Sequence, residues 1–154
     1  MASASSSTSV PVGGNACGSR NRLKLAINTH VKYAKPLQLL LASLRAVSFT
    51  RFEDVLVLVG GSDSEQPPTR APLSRLAPGA PPEDMVVVAK TTTNGFDYHG
   101  LAMLARYRAN PLIAAEVYVY VHDTVTFASD FVERYETFRL PRSPYLFTTW
   151  PLPK

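Results

Sequence analysis

Residues 116–124 constrain the fold of this chain more than any other stretch. Their sequence is Glu-Val-Tyr-Val-Tyr-Val-His-Asp-Thr. Five consecutive β-branched or aromatic residues predict a strand buried on both faces, because neither face has the polar half of an alternation. With a side-chain period of two, the row of three valines ends at Asp123. A carboxylate there either starts a turn or serves a ligand, since open parallel sheets bind ligands beyond the carboxyl ends of their strands.

Three further apolar runs share this design. They span residues 22–30, 53–61 and 85–90, and helical patterns follow the first and the third. The first helical pattern starts near Pro36. The second covers about residues 98–108, with Leu101, Leu104, Ala105 and Arg108 on one side of the predicted helix. Buried strands that alternate with helices predict a three-layer, Rossmann-like α/β fold with a mainly parallel sheet in strand order 3-2-1-4.

The apolar runs belong to one predicted domain, residues 22–138. Residues 1–21 are rich in Ser, Ala, Gly and Thr without periodicity, so we expect a disordered leader. Residues 62–84 contain six prolines and no periodic pattern, which predicts a disordered insertion. Residues 139–154 contain four more prolines and form a Pro-rich tail. A length of 154 residues fits one such domain.

The positive charge of the chain lies mostly near its start. Residues 1–52 contain seven Lys and Arg residues and no Asp or Glu, whereas the whole chain has a net charge of +4. We expect these basic side chains to be solvated. The sequence contains no dense basic cluster with interleaved aromatic residues, so it does not predict nucleic-acid binding. The single cysteine, Cys17, excludes a disulfide or a thiolate metal site within the chain.

The localisation predicted from the sequence follows from its apolar runs. None reaches the ~20 residues of a membrane span. We therefore expect a soluble, cytoplasmic protein with no membrane span. The Ser-rich, acid-free start of the chain is also compatible with an organelle transit peptide.

The predicted strand order places a candidate site at the carboxyl ends of the first and fourth strands. The polar residues at these two ends then lie side by side: Asn28, Thr29 and His30 from the first strand, and His122, Asp123 and Thr124 from the fourth. Gly60 and Gly61 end the second strand and let a ligand or a tight turn approach the backbone closely. The polar run 91–97 closes the rim, and its Asp97 is equally well placed to cap the following helix.

These residues resemble the GT-A type of nucleotide-sugar-dependent glycosyltransferase. The similarity covers roughly residues 23–138. It lies in the strand end Ile-Asn-Thr-His30, the strand end Val-Gly-Gly61, the helix start Asn94-Gly-Phe-Asp97 and, above all, Tyr-Val-His-Asp-Thr124. The resemblance implies a GT-A half-domain that binds a nucleotide sugar, most typically a UDP sugar, through Mn²⁺ or Mg²⁺, and that transfers the sugar to an acceptor.

The resemblance also implies roles for individual residues. Asp123 would contact the metal or the diphosphate, with His122 and Thr124 as further candidate ligands. The remaining candidates would bind the nucleotide sugar: Asn28, Thr29 and His30 on the base and ribose side, together with Gly60, Gly61, Asn94 and Asp97. No residue of the chain is assigned as the general base.

The chain departs from the family pattern in two ways. Only one of the two carboxylates of the Asp-x-Asp motif is present, and one carboxylate holds a divalent ion less firmly than two. About thirty residues follow Thr124, where the family has an acceptor-binding half. We therefore expect either a truncated or inactive glycosyltransferase-like protein or a non-catalytic nucleotide-binding or interaction module. A metal-dependent hydrolase using His30, His122 and Asp123 fits poorly, because residues 122 and 123 face opposite sides of one strand.

Overall fold

The computed structural model of the protein describes residues 23–131 except 48 and 82. Five strands and two α-helices follow one another as β1 (Leu23–His30), α1 (Ala34–Val47), β2 (Asp54–Gly60), β3 (Gln66–Pro72), β4 (Met85–Lys90), α2 (His99–Arg106) and β5 (Val117–His122). Neither of these helices has the length and apolar character needed to cross a membrane. The predicted leader, the Pro-rich tail and residues 132–138 of the predicted domain lie outside the described residues.

The strands form one sheet in the order β3-β4-β2-β1-β5. β1 pairs in parallel with both β2 and β5, and β2 pairs in parallel with β4. The predicted α/β class with a mainly parallel sheet is therefore confirmed. The order of the four predicted strands is also found, but the sheet has one strand more than predicted, because β3 pairs antiparallel with the outer side of β4.

β3 corrects the prediction for residues 62–84, where the sequence indicates a disordered insertion. The strand has the sequence Gln-Pro-Pro-Thr-Arg-Ala-Pro, and its three prolines cannot donate to a ladder. They are tolerated because β3 lies at the sheet edge and its register shifts between Gln66 and Thr69. The strand depends on backbone pairing with β4 and not on an apolar period, so its sequence pattern does not reveal it.

The helices cover opposite faces of the sheet and create two cores. On one face, Leu25 and Ile27 of β1 pack with the α1 leucines Leu37, Leu40, Leu41 and Leu44. On the other face, Ala26 of β1 and two leucines of β2 pack with Met103 and Leu104 of α2. These two clusters give the three layers that the alternation of strands and helices predicts.

The position of β5 corrects a second prediction. The sequence predicts a strand buried on both faces, whereas most of β5 is half-buried and Val117 at its start is exposed. Among the described residues β5 has a neighbouring strand only on its β1 side. Its valines Val119 and Val121 contact the α1-side core, and Tyr118 and Tyr120 contact the α2-side core. The apolar run therefore reflects cover above and below the strand, while β5 is an edge strand of the sheet that the described residues form.

The buried face of α2 also differs from the predicted one. The face that packs on the sheet consists of His99, Gly100, Met103 and Leu104, while Leu101 is 48% exposed. The residue that precedes the helix is Tyr98, and no side chain caps the first turn. Asp97 therefore does not cap the helix as predicted. The reason is tertiary: the close approach of Gly100 to β1 sets the rotation of the helix.

Lys24 corrects the expectation that the early basic residues are solvated. Its side chain is fully buried, and its Nζ lies 3.1 Å from Oδ2 of Asp54 at the start of β2. Nζ also donates hydrogen bonds to the carbonyl oxygens of Pro111 (3.3 Å) and Leu112 (2.9 Å). Arg70 of β3 binds the other carboxylate oxygen of Asp54 at 2.7 Å. Charge pairing therefore compensates the burial of this ammonium group.

Candidate functional site

A cleft of about 440 Å³ opens at the carboxyl ends of β1 and β5. Asn28 of β1 stands opposite His122 of β5 in the parallel register, so the polar ends of both strands share one edge of the sheet. The lining residues are Asn28, Thr29, His30, Tyr33, Phe96, Asp97, His99, His122, Asp123, Thr124 and Val125. The structure thus brings together the candidates from both strand ends and Asp97, but Gly60, Gly61 and Asn94 do not line the cleft.

Asp123 is the buried carboxylate of the cleft, with 5% of its surface exposed. The hydroxyl of Thr29 donates to Oδ2 of Asp123 at 2.5 Å, and the backbone N–H of Asp123 donates to the carbonyl of Asn28 at 3.1 Å. Both contacts tie the end of β5 to the end of β1. A hydroxyl bond to a carboxylate is charge-assisted, so Thr29 fixes the orientation of the carboxyl group.

Asn28, predicted to bind the nucleotide sugar, lines the cleft and also makes hydrogen bonds within the protein. Its Nδ2 donates to the carbonyl of Phe96 at 2.7 Å and lies 3.3 Å from Nδ1 of His122. Its Oδ1 accepts a hydrogen bond from the backbone N–H of Gly100 at 3.1 Å. One amide hydrogen is therefore in use at the Phe96 carbonyl, and Nδ1 of His122 accepts the other in the tautomer that carries its proton on Nε2. Asn28 joins the loop between β4 and α2 (residues 91–98, the rim loop), the start of α2 and the end of β5, and so holds the cleft in shape.

The two glycines at the end of β2 make room for histidine rings. A Cβ added at Gly60 would lie 2.6–2.7 Å from three ring atoms of His99, and one added at Gly61 would lie 2.7 Å from Cε1 of His30. Gly61 also has a φ of 68°, which other residues rarely adopt. The sequence predicts a close approach by a ligand or a turn at these glycines. The structure gives that space to two imidazoles.

His99 is a cleft residue that the sequence reasoning does not identify. Its Nε2 lies 2.8 Å from the carbonyl oxygen of Thr29, the residue whose side chain holds Asp123. The sequence gives only a weak indication of His99, because the predicted apolar side of α2 includes Leu101 and not His99. His30 has a local partner as well, since its Nδ1 accepts a hydrogen bond from the N–H of Lys32 at 3.1 Å.

The rim of the cleft carries exposed aromatic rings. Phe96 is 65% exposed and has a φ of 46°, an uncommon conformation for a residue other than glycine. Tyr33, also exposed, lines the same cleft from the turn after β1. Asn94, two residues before Phe96, is exposed outside the cleft. The rim loop therefore presents Phe96 to the cleft, and the bond from Asn28 holds this backbone in place.

Asp97 is held through its backbone while its carboxylate stays exposed. The hydroxyl of Tyr120 donates to the carbonyl oxygen of Asp97 at 3.0 Å, and Nδ1 of His122 lies 3.6 Å from Oδ1 of Asp97. Burial of the phenol, and secondarily the nearby negative charge of Asp97, raise the pKa of Tyr120 to about 12. Tyr120 is therefore a hydrogen-bond donor throughout the neutral pH range.

The charge of the cleft lining is negative. It includes the carboxylates of Asp97 and Asp123 and contains neither Lys nor Arg. Among the residues that the structure describes, no three His, Cys, Asp or Glu side chains are grouped so that they could hold a metal ion. A divalent ion at Asp123 would consequently complete its coordination with oxygens of a ligand and of water, which is the usual way proteins bind Mg²⁺ next to phosphates.

Chemically, the cleft combines a fixed carboxylate, imidazole rings and exposed aromatic rims. The carboxylate can accept hydrogen bonds, and the exposed rings can stack on a planar group. No family model, curated protein or solved structure matches the chain.

Proposed function

We propose that this cleft binds a nucleotide sugar of the UDP type through a shared divalent cation, Mn²⁺ or Mg²⁺, in a glycosyltransferase-like manner. Asp123 carries the proposal. It is a buried carboxylate at the carboxyl end of a parallel strand, oriented by Thr29, in the cleft between the ends of β1 and β5. This is the position in an open parallel sheet where ligand-binding groups are expected.

The charge of the cleft supports the need for a cation. A diphosphate that enters beside Asp97 and Asp123 meets two carboxylates and no basic side chain of the lining. Like charges at short distance repel one another, so the bare anion would bind poorly. A divalent ion held by Asp123, with Asp97 at the rim, offsets this repulsion, and it would stabilise the charge that develops on the diphosphate when the sugar leaves.

The aromatic rim supports a ligand with a planar base. Tyr33 and Phe96 both expose their rings and both line the cleft. A nucleobase buries apolar area against such rings and stacks on their faces. The proposed orientation therefore places the base at the aromatic rim and the diphosphate at Asp123. In the corresponding transfer reaction, an acceptor hydroxyl attacks the anomeric carbon, the bond to the diphosphate breaks, and the hydroxyl proton passes to a base.

Calorimetric titration of UDP with and without Mn²⁺ tests the proposal. We expect the wild type to bind UDP more tightly with Mn²⁺. Mn²⁺ alone should bind only weakly, because the described residues group too few protein ligands around it. Asp123→Asn should abolish the gain from Mn²⁺. Glu83→Gln is the matched control, since it removes one negative charge at an exposed position beyond the opposite end of the sheet; it should bind as the wild type does.

Two results would contradict the proposal. One is a wild-type protein that binds no UDP in either condition, and the other is an Asp123→Asn variant whose titration is unchanged. Incubation with UDP-glucose then separates two forms of the proposed function. Release of UDP with transfer of the sugar makes the protein a glycosyltransferase, whereas binding without release makes it a nucleotide-binding module.

A further inference from the structure

The imidazole of His122 lies at the end of β5 with one ring nitrogen open to the cleft. His122 lines the cleft, and 38% of its side chain is exposed. Asn28 and Asp97 both approach its Nδ1. Within the part of the chain that the structure describes, Nε2 makes no hydrogen bond and is not a buried unpaired atom. A ligand in the cleft can therefore reach Nε2.

The side-chain amide of Asn28 determines which nitrogen of His122 carries the proton. Its Oδ1 accepts the N–H of Gly100 and its Nδ2 donates to the carbonyl of Phe96, so the amide cannot turn around without losing both bonds. Nδ2 then presents its second hydrogen to Nδ1 of His122 at 3.3 Å. A nitrogen that accepts this hydrogen has a lone pair, so the proton of the neutral ring lies on Nε2.

Asp97 competes for the same nitrogen and favours the opposite tautomer. Its Oδ1 lies 3.6 Å from Nδ1 of His122, which is beyond hydrogen-bond distance, and 76% of its side chain is exposed. Water screens an exposed carboxylate, so this contact contributes little. The Asn28 amide lies closer and is held by two further bonds. The amide therefore decides the tautomer, and Nε2 is a hydrogen-bond donor.

This donor lies where the proposed ligand has its negative charge. β5 ends at His122 and Asp123 follows in a turn, so a group placed over the strand end can contact both residues. Neither Lys nor Arg lines the cleft, so a diphosphate depends on neutral donors there. Ionised phosphate oxygens accept hydrogen bonds, and a bond from N–H to an ionised oxygen is stronger than one between neutral groups. A diphosphate shared with a cation at Asp123 therefore complements Nε2.

We propose that Nε2 of His122 donates a hydrogen bond to a diphosphate oxygen of the bound nucleotide sugar, and that His122 is not a metal ligand. This inference rests on the proposed function. A ring nitrogen that carries a proton has no lone pair for a cation, so Asp123 and not His122 would hold the metal. The hydrogen bond fixes the position of the diphosphate relative to Asp123.

The tautomer of His122 can be measured in the free protein. The chain has three histidines, and a long-range ¹H–¹⁵N spectrum at pH 8 shows which ring nitrogens carry a proton. Comparison with the spectrum of His122→Asn assigns the signals of His122. We expect its proton on Nε2 alone. A proton on Nδ1 would overturn the inference and leave the proposed function untouched.

Two substitutions of His122 separate the donor from a structural role. In His122→Asn the amide oxygen can accept the Asn28 hydrogen, but no donor remains at the Nε2 position. In His122→Gln the amide nitrogen can occupy the Nε2 position and donate, but nothing accepts the Asn28 hydrogen. His122→Asn should therefore bind the ligand more weakly, while His122→Gln should unfold at a lower temperature than the wild type.

The binding experiment compares the Kd values of UDP and uridine in the presence of Mn²⁺. We expect His122→Asn to bind UDP about 10-fold more weakly than the wild type, the lower end of the range for a hydrogen bond to a charged group. His122→Gln should recover most of this loss. Uridine has no phosphate, so the wild type and His122→Asn should bind it alike.

The contrary results separate this inference from the proposed function. Equal losses for UDP and uridine, or a His122→Gln variant that binds UDP no better than His122→Asn, would show a structural role and overturn the inference. Wild-type affinity of His122→Asn for UDP would also overturn it while the proposed function stands. A wild type that binds no UDP with Mn²⁺ would overturn both.

Discussion

Near the start of β1, a lysine is buried among apolar residues and paired with an aspartate. Lys24 shares its sheet face with Ala26 and contacts Asp54 together with two backbone carbonyls. Asp54 is shared, because Arg70 holds its second oxygen. The cluster ties β1, β2, β3 and the turn before β5 together at the amino end of the sheet. Removal of one member leaves the other charges incompletely paired, and the cost depends on which member is removed.

We predict that Asp54→Asn is more destabilising than Lys24→Met. Asp54→Asn leaves the fully buried ammonium of Lys24 without its counter-charge, which costs about 3–5 kcal/mol. Lys24→Met leaves Asp54 paired with Arg70, so its cost should be smaller. Urea unfolding of both single variants and of the double variant measures the difference. The double variant should be more stable than the sum of the two losses predicts, and strict additivity would contradict a direct interaction.

The elements of the fold fit together at positions that a helix or strand pattern alone does not indicate. In α2, Gly100 lies against β1 and β5, where an added Cβ would lie 2.6 Å from Oδ1 of Asn28 and 2.6 Å from the hydroxyl oxygen of Tyr120. A glycine inside a helix normally lowers its stability. Here it lets the helix approach the strands closely enough for the Asn28 side chain to bind the Gly100 N–H.

We predict that Gly100→Ala destabilises the protein although alanine favours helices. Relief of the clash requires a shift of Asn28 or Tyr120, and overpacking of this kind costs typically about 1–3 kcal/mol. The control is Ala105→Gly, at an exposed position of the same helix, which should cost about 1 kcal/mol from propensity alone. Thermal unfolding of both variants decides the matter. An increase in stability for Gly100→Ala would show that the helix is not held at this distance.

A second connection between elements joins the loop after β2 to the segment that follows β4 and to α2. The carboxylate of Glu65 accepts hydrogen bonds from the Thr91 hydroxyl at 2.8 Å and from the Thr92 N–H at 2.9 Å. It also pairs with Arg106 of α2 at 3.1 Å. The Thr92 N–H is the main cause that lowers the pKa of Glu65 below its ordinary value of 4.5. The charged form of Glu65 is therefore the one that the fold favours.

The sign of the resulting pH dependence follows from this lowered pKa. The contribution of Glu65 to stability is complete above pH 4.5 and disappears as the pH falls through the lower pKa of the folded state. We predict that Glu65→Gln is less stable than the wild type at pH 6 and that the difference shrinks on acidification. Urea unfolding of the two proteins between pH 3 and pH 6 measures it. A difference that grows toward pH 3 would contradict this role of Glu65.

At the scale of the whole molecule, stability should be graded across the sheet. β2 is the middle strand and every one of its residues is buried, with β1 and β4 on either side. β3 is an edge strand with three prolines, and β5 pairs with β1 alone among the described strands. Amides deep in a sheet exchange by larger openings than those at an edge.

We predict that the amides of β1, β2 and β4 exchange with solvent most slowly and those of β3 fastest among the strands. Native-state hydrogen exchange, resolved by residue, measures this order. The amides of β5 should lie between the two groups, because both of its faces are covered but only one of its sides pairs. Equal protection of β3 and β2 would contradict the gradient.

The local elements and the class of fold follow from patterns in the sequence. Apolar runs predicted β1, β2, β4 and β5, and leucines at helical spacing predicted α1, because burial of a strand or of a helix face leaves a period in the sequence. The polar ends of β1 and β5 also predicted the edge at which the cleft lies. This worked because parallel strands carry their carboxyl ends to the same side of the sheet.

The contacts between distant groups, in contrast, depend on how the elements pack together. β3 forms through backbone pairing, which has no side-chain period. The place of β5 beside β1 alone, among the described strands, depends on how the other strands are ordered. The rotation of α2, and with it the place of His99, follows from the contact between Gly100 and Asn28, residues 72 positions apart. The burial of Lys24 depends on Asp54 across the sheet. Partners distant in sequence set these features, so no local pattern of the chain contains them.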